Sequence, residues 1–131
     1  MKAYWDSSAL IIAVSEQGLR HRLRSERAFT RTHSLGEVFS SLTSGKSGVR
    51  VHPAQASAIV EDLVRDLDFV DLSASEVLAA LRVASAKGVR GGRVHDYLHV
   101  IAAEKSGVAE LLTSDQFDLL GLSSRLTVTV I

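Results

Sequence analysis

Cysteine is absent from this chain, and proline occurs once, at Pro53. Without cysteine there is neither a disulfide framework nor a thiolate metal site, and a reducing cytosol suits the composition. A single proline and only short polar stretches leave nothing that reads as an inter-domain linker. Long apolar runs are missing as well. The longest, Ala9 to Val14, falls far below the about 18 residues needed to span a membrane. Lys2 is followed too soon by Asp6 for a secretory signal, so a cytoplasmic location is expected. Net charge is lacking too: 15 basic and 15 acidic side chains cancel, which argues against a polyanion binder held by bulk charge.

What is present suffices for an ordinary core. Of 131 residues, 46% are hydrophobic, and a chain of this length buries roughly two-thirds of its unfolded surface. One domain over residues 1–131 is expected. Short strands are expected at 2–6, 28–32, 69–72, 109–113 and 126–131. Helices are expected at about 7–16, 34–44, 53–67, 73–87 and 94–106, with an Arg-rich helical stretch before the second strand and a helical turn around 116–121. Asp6 or Ser7 would cap the first helix, and Pro53 suits a first helical turn. Ser34 with Glu37, and Ser73 with Glu76, have capping-box spacing. Ala56, Ile59, Val60, Leu63, Val64 and Leu67 trace one helical face. Ser44 to Gly48 is a loop whose glycines, Lys and hydroxyl residue lack P-loop spacing. Strands alternating with helices imply an α/β fold: a mainly parallel sheet of about four to five strands with helices on both faces.

Four carboxylates then stand out. Asp6, Glu37, Asp96 and Asp115 are far apart in sequence, and each sits where an expected element begins or ends. In an open parallel sheet the carboxyl ends of the strands face one crevice, where ligands bind. Acids delivered there repel one another unless a counter-charge is present, and a hard divalent cation such as Mg²⁺ supplies it. Each acid also has a plain structural reading: Asp6 as a cap, Glu37 as half of a capping box, Asp96 as complement to a helix dipole, Asp115 as a turn residue. Ser7 would cap as well as Asp6. Beside Glu37 at helical spacing lie Ser40, Ser41 and Ser44, which leave room for a substrate. Above Asp96 stack Val100 and Ala103, a covered region where an unpaired carboxylate is costly. Asp118 reads as a surface acid.

Among the histidines, His21, His33, His52, His95 and His99 show no paired metal-ligand spacing. His99, on an apolar helix, is expected to be a hydrogen-bonded interior residue; for His95, beside Asp96, substrate contact is only a minor reading. Ser7 and Ser8 lack a triad arrangement. Basic residues are clustered: Arg20, Arg22, Arg24, Arg27 and Arg31 fall in a stretch whose only acid is Glu26, and Lys87, Arg90 and Arg93 precede Asp96. Two basic patches beside an acidic site suit a phosphate-backbone substrate; solvated loops are the plain alternative.

Four segments together resemble the PIN-domain ribonucleases, specifically the VapC-type toxins of toxin–antitoxin systems. They are Tyr4-Trp5-Asp6-Ser7-Ser8-Ala9-Leu10, Ser34-Leu35-Gly36-Glu37-Val38-Phe39, Val89 through His95-Asp96-Tyr97-Leu98-His99-Val100-Ile101-Ala102-Ala103, and Leu111-Leu112-Thr113-Ser114-Asp115. The likeness spans almost the whole chain. It departs from the family at Phe117, two positions after the last acid rather than three, and at His95, where Tyr is frequent. The resemblance implies a PIN-like three-layer α/β/α fold in which Asp6, Glu37, Asp96 and Asp115 hold Mg²⁺, with Mn²⁺ as a substitute. Ser8 and Thr113 would orient carboxylates or a metal-bound water, and Arg90 and Arg93 would hold phosphates. It further implies endonucleolytic cleavage of RNA, a homodimer, and a cognate antitoxin protein as partner. The apolar faces at 53–67 and 73–87 are candidate surfaces for such contacts, with core packing as the plain alternative. Two other functions compete with this one. A phospho-acceptor receiver-like domain would need acids grouped near the first strand and a Lys after the last, which this chain lacks. A non-catalytic PIN-fold RNA-binding or assembly module would have no use for the full acid set.

Overall fold

The structure, a computed structural model, describes residues 1–46, 48, 50–115 and 121–131. The turn expected around 116–121, with Phe117 and Asp118, lies outside the described residues apart from Gly121. The chain runs β1 (Ala3–Trp5), α1 (Ser7–Ser15), α2 (Gln17–Glu26), β2 (Ala28–Thr30), α3 (His33–Ser44), α4 (Pro53–Val64), β3 (Leu67–Phe69), α5 (Ala74–Ala86), α6 (Arg93–Ser106), β4 (Glu110–Thr113) and β5 (Thr127–Val130). All strand pairs are parallel, in the order β3-β2-β1-β4-β5. The fold is α/β with helices on both faces of one sheet. Among the described residues no helix is long and apolar enough to cross a membrane.

Short apolar strands form this sheet because a central parallel strand is covered on both faces, so alternate side chains enter different cores. Ala3, Trp5 and Leu112 join one core with Leu10 of α1, Leu23 of α2, Val38 and Leu42 of α3, and Leu63 of α4. Tyr4 and Leu111 join the other, with Ala80 and Ala84 of α5 and Tyr97, Val100 and Ala103 of α6. The chain winds outward from β1 to β2 to β3, then crosses by α5 and α6 to β4 on the far side of β1. The order therefore reverses between β1 and β4, and a crevice opens beyond their carboxyl ends. Asp6 follows β1, and Asp115 follows β4.

Two sequence expectations fail. The third strand is Leu67–Phe69, not 69–72, and α4 stops at Val64. Leu67 is four residues after Leu63, so it mimics the next rung of a helical face. The chain instead turns at Arg65 and Asp66. Asp66 N–H donates to Leu63 O, Asp66 O accepts from Ala28 N–H, and Leu67 pairs with Ala28 as a strand residue. The second failure is the capping box at Ser34 and Glu37. Helix α3 begins one residue earlier, at His33, and its N-cap Thr32 makes no side-chain cap bond. The Ser34 hydroxyl is buried against Thr30 Oγ1 at 2.7 Å. Thr30 donates its own proton to Trp5 O, so Ser34 donates to Thr30, and as the second residue of the helix rather than its N-cap it is not placed to act as the box's acceptor. By contrast, the Ser73–Glu76 box forms in full at the start of α5.

Truncating Leu111 or Leu112 tests the two-sided burial, since both are fully covered but on opposite faces. Each Leu→Ala change should cost about 2–5 kcal/mol in denaturant unfolding. A sheet with one wet face would show that loss for only one of the two.

Candidate functional site

The crevice beyond β1 and β4 is built on one serine hydroxyl. Ser8 Oγ lies 2.6 Å from Asp6 Oδ1, 3.2 Å from Thr113 Oγ1 and 2.9 Å from Ser114 N. A hydroxyl has one proton to give and two lone pairs to accept with. The Ser8 proton goes to the Asp6 carboxylate, so Ser8 accepts from the Ser114 N–H and the Thr113 hydroxyl. Thr113 Oγ1 in turn accepts from Asp115 N–H at 3.0 Å. These bonds tie the first and last sequence-predicted acids to one seam. Asp6 is also the N-cap of α1, taking Ala9 N–H on Oδ1 at 3.0 Å. Its structural and site readings are therefore compatible.

Glu37 is the fifth residue of α3, beyond its first turn, released from the expected box. Its Oε1 accepts from His99 Nε2 at 3.0 Å, and His99 Nδ1 lies 2.6 Å from the Tyr4 hydroxyl. Tyr4 and His99 are both buried. His33 Nε2 comes within 4.0 Å of the same carboxylate, and the His33 ring stacks on His95 with centroids 5.8 Å apart. Burial alone would raise the Glu37 pKa, but the hydrogen bond from His99, with His33 and His95 close by, holds it below the usual glutamate value. Burial pushes the Tyr4 phenol far up, against the opposing effect of Arg31; the charges of Asp6 and Glu37 both reach it and add to the rise.

Beside Glu37 lies a cleft of about 460 Å³ lined by Ser7, His33, Gly36, Glu37, Ser40, Ser41 and Lys46. The small face read at Ser40 and Ser41 is thus open space next to the acid. Asp96 is half-buried in the first turn of α6, three residues before His99, with Val100 and Ala103 fully buried above it. Asp115 is exposed after β4. Neither acid is free, and nor is Arg93. Arg90 is exposed in the loop before α6.

Two elements of the structure link these acids, and a third requirement is not met. The Ser8–Thr113 seam joins Asp6 to the Asp115 backbone, and His99 joins Glu37 to α6. Among the described residues, however, no group of three or more His, Asp or Glu side chains is disposed to hold a metal ion. The donors suit a hard cation in kind, being carboxylates with hydroxyl support, but they do not enclose one. Sequence reasoning did not place Tyr4 and His33 here. Strand alternation could have found Tyr4, because its neighbours Ala3 and Trp5 face the other core.

The basic stretch needs correction. Arg20 pairs with Asp62 and Asp66 at 3.0 and 2.8 Å, and Arg22 with Glu26 and Glu110 at 3.0 and 2.8 Å. Arg27 grips Asp68 and the carbonyls of Arg65 and Leu67. These three arginines are committed within the fold and do not form a phosphate-binding patch. Arg31 differs: it follows β2 at the carboxyl edge, and its Nε and Nη1 are buried without a hydrogen-bond acceptor among the described residues.

No family model and no curated protein matches the chain. The structure is similar to the crystal structure of PAE2754 from Pyrobaculum aerophilum. The TM-score is 0.73 at 20% sequence identity, over 98% of this chain and 89% of that one. At this identity the likeness establishes the fold alone.

Two outcomes are expected at these acids. Asn caps a helix as well as Asp, so Asp6→Asn should melt within about 0.5 kcal/mol of wild type, while Asp6→Ala loses about 1 kcal/mol. Equal loss in both variants would deny Asp6 its capping role. The depressed Glu37 pKa adds stability above the unfolded value, and this is lost as pH falls through the folded value, in the acid range below the ordinary 4.5. In His99→Leu the burial effect loses its main opponent, and the Glu37 carboxyl should titrate higher by ¹³C NMR. An unchanged midpoint would show that His99 does not hold it down.

Proposed function

We propose that this chain is a PIN-type endoribonuclease dependent on Mg²⁺ or Mn²⁺, the toxin of a VapBC-type toxin–antitoxin pair acting in the cytoplasm. The observation that carries this reading is the Ser8 seam at the reversal of strand order. It fixes one carboxylate at the end of β1 and ties it to the loop bearing another after β4. A PIN-like arrangement needs acids from distant segments at that crevice; Asp6 after β1 and the Asp115 loop after β4 support this reading, with Glu37 on α3 and Asp96 in the first turn of α6 as the further candidates.

Asp6, Glu37, Asp96 and Asp115 would hold the metal. Bound there, Mg²⁺ lowers the pKa of a water and neutralises charge on the departing oxygen of a phosphodiester. The remaining work falls to the chain's own groups. Ser8 and Thr113 fix the rotamer of Asp6 and the start of the Asp115 loop. The cleft beside Glu37, floored by Ser40 and Ser41, gives a sugar–phosphate chain room to approach. Lys46 at its rim, Arg31 at the carboxyl edge, and Arg90 and Arg93 near α6 are the cations for phosphate oxygens. On α5, Leu78, Leu81 and Val83 stay exposed, a surface suited to a second copy or the antitoxin. Against a non-catalytic RNA-binding module stands the arrangement at Asp6, whose carboxylate takes two oriented bonds at a ligand-binding edge.

Purified protein incubated with RNA and Mg²⁺ should yield fragments with 5′-phosphate ends, and EDTA should stop the reaction. Loss of a group that merely supports a metal ligand costs about 10–100-fold, so Asp96→Asn should lower the rate by more than about 100-fold. Equal cleavage by wild type and Asp96→Asn would assign the activity to a contaminant and defeat the proposal.

A further inference from the structure

The geometry points to Tyr4 and His99 as positioning residues that fix the Glu37 carboxylate, with the phenol selecting the imidazole tautomer that donates to it. This rests on the nuclease reading above only in its consequence for activity; the network itself stands on contacts within the protein. Three groups from β1, α6 and α3 form an unbroken line, Tyr4 Oη to His99 Nδ1 at 2.6 Å and His99 Nε2 to Glu37 Oε1 at 3.0 Å. Two of its three members are almost fully buried, at 0% and 2% exposure. A buried polar group without its hydrogen bond is expensive, so each proton in the line must have an assigned place.

The assignment follows from the chemistry of the ends. Glu37 is an acceptor only, once ionised, so His99 Nε2 must carry a proton toward it. The Tyr4 phenol is neutral, because burial works strongly against the phenolate, and it has a proton to donate. His99 Nδ1 then accepts, and the ring is neutral with its single proton on Nε2. Without the phenol, Nδ1 loses its donor and only the Glu37 carboxylate still favours the Nε2–H tautomer. The Nδ1–H tautomer then gains population, and Glu37 is held less firmly. Such a partner behind a carboxylate orients it for ligand binding without touching the substrate.

The test uses the whole metal-free chain first. Long-range ¹H–¹⁵N correlation spectra at neutral pH should show His99 as the single Nε2–H tautomer in wild type, and as a tautomer mixture in Tyr4→Phe. The second arm measures Mn²⁺ binding by electron paramagnetic resonance, together with cleavage of RNA. His99→Leu should weaken Mn²⁺ binding by about 10–100-fold and lower kcat by a similar factor with KM little changed. His99→Gln, whose amide N–H can replace Nε2–H, should recover most of both, which a purely structural role for the ring would not produce. His99 found as the Nδ1–H tautomer or doubly protonated, or Tyr4→Phe leaving the tautomer unaltered, overturns the assignment. So does His99→Leu binding Mn²⁺ as tightly as wild type. If wild type neither binds Mn²⁺ nor cleaves RNA, the nuclease reading fails, and the spectra alone decide the network.

Discussion

The Ser8 hydroxyl is the point on which the carboxyl edge depends. In a doubly wound sheet, β1 and β4 are neighbours whose following segments diverge to opposite faces, and that divergence is what opens a crevice. Divergence also leaves backbone groups without strand partners. Ser8 meets that cost by accepting the Ser114 N–H, and Thr113 by accepting the Asp115 N–H. The same hydroxyl aims its only proton at Asp6. One small side chain therefore closes the seam and orients a carboxylate. A larger residue at position 8 would separate β4 from the start of α1, and an alanine would leave the Ser114 N–H without its acceptor.

How much of this was legible in the sequence depends on the range of the interaction. The alternation of strands and helices, and the ends of most elements, follow from local pattern and caps, and they are found nearly as expected. The errors lie where a local pattern fits two structures. Leu63 and Leu67 satisfy a helical period, yet strand pairing with Ala28 claims Leu67. Ser34 and Glu37 satisfy a capping-box spacing, yet a buried hydroxyl at Thr30 claims Ser34, and His99 claims Glu37. In both cases a partner more than 30 residues away, or a buried neighbour, outbids the local option. The Tyr4–His99–Glu37 line was not legible, because it joins residues up to 95 positions apart. Only strand parity, which sends Tyr4 to the α6 face, hinted at it.

The distribution of charge carries the synthesis further. Zero net charge conceals a segregated molecule. Toward the amino ends of the strands, basic and acidic groups cancel in pairs: Lys2 and Arg27 on Asp68, Arg22 on Glu110 at the head of β4, Arg20 on Asp66 just before β3. The two cations on Asp68 pull its pKa down to about 2, the Arg27 hydrogen bond contributing most. The part-exposed pairs among them add little stability singly, the Arg20–Asp66 pair being the buried exception, but together they use up cations that would otherwise give the molecule a basic face.

At the carboxyl edge the compensation is of a different kind. Asp6 and Glu37 are held by hydroxyl, amide and imidazole donors rather than by lysine or arginine ion pairs. Such donors orient a carboxylate while leaving its charge available, whereas an arginine in bidentate contact would both orient and neutralise it. A site meant to attract a cation requires the first arrangement and is defeated by the second. At Asp6 and Glu37 the carboxyl edge thus relies on hydroxyl, amide and imidazole donors, where the amino edge relies on lysine and arginine ion pairs.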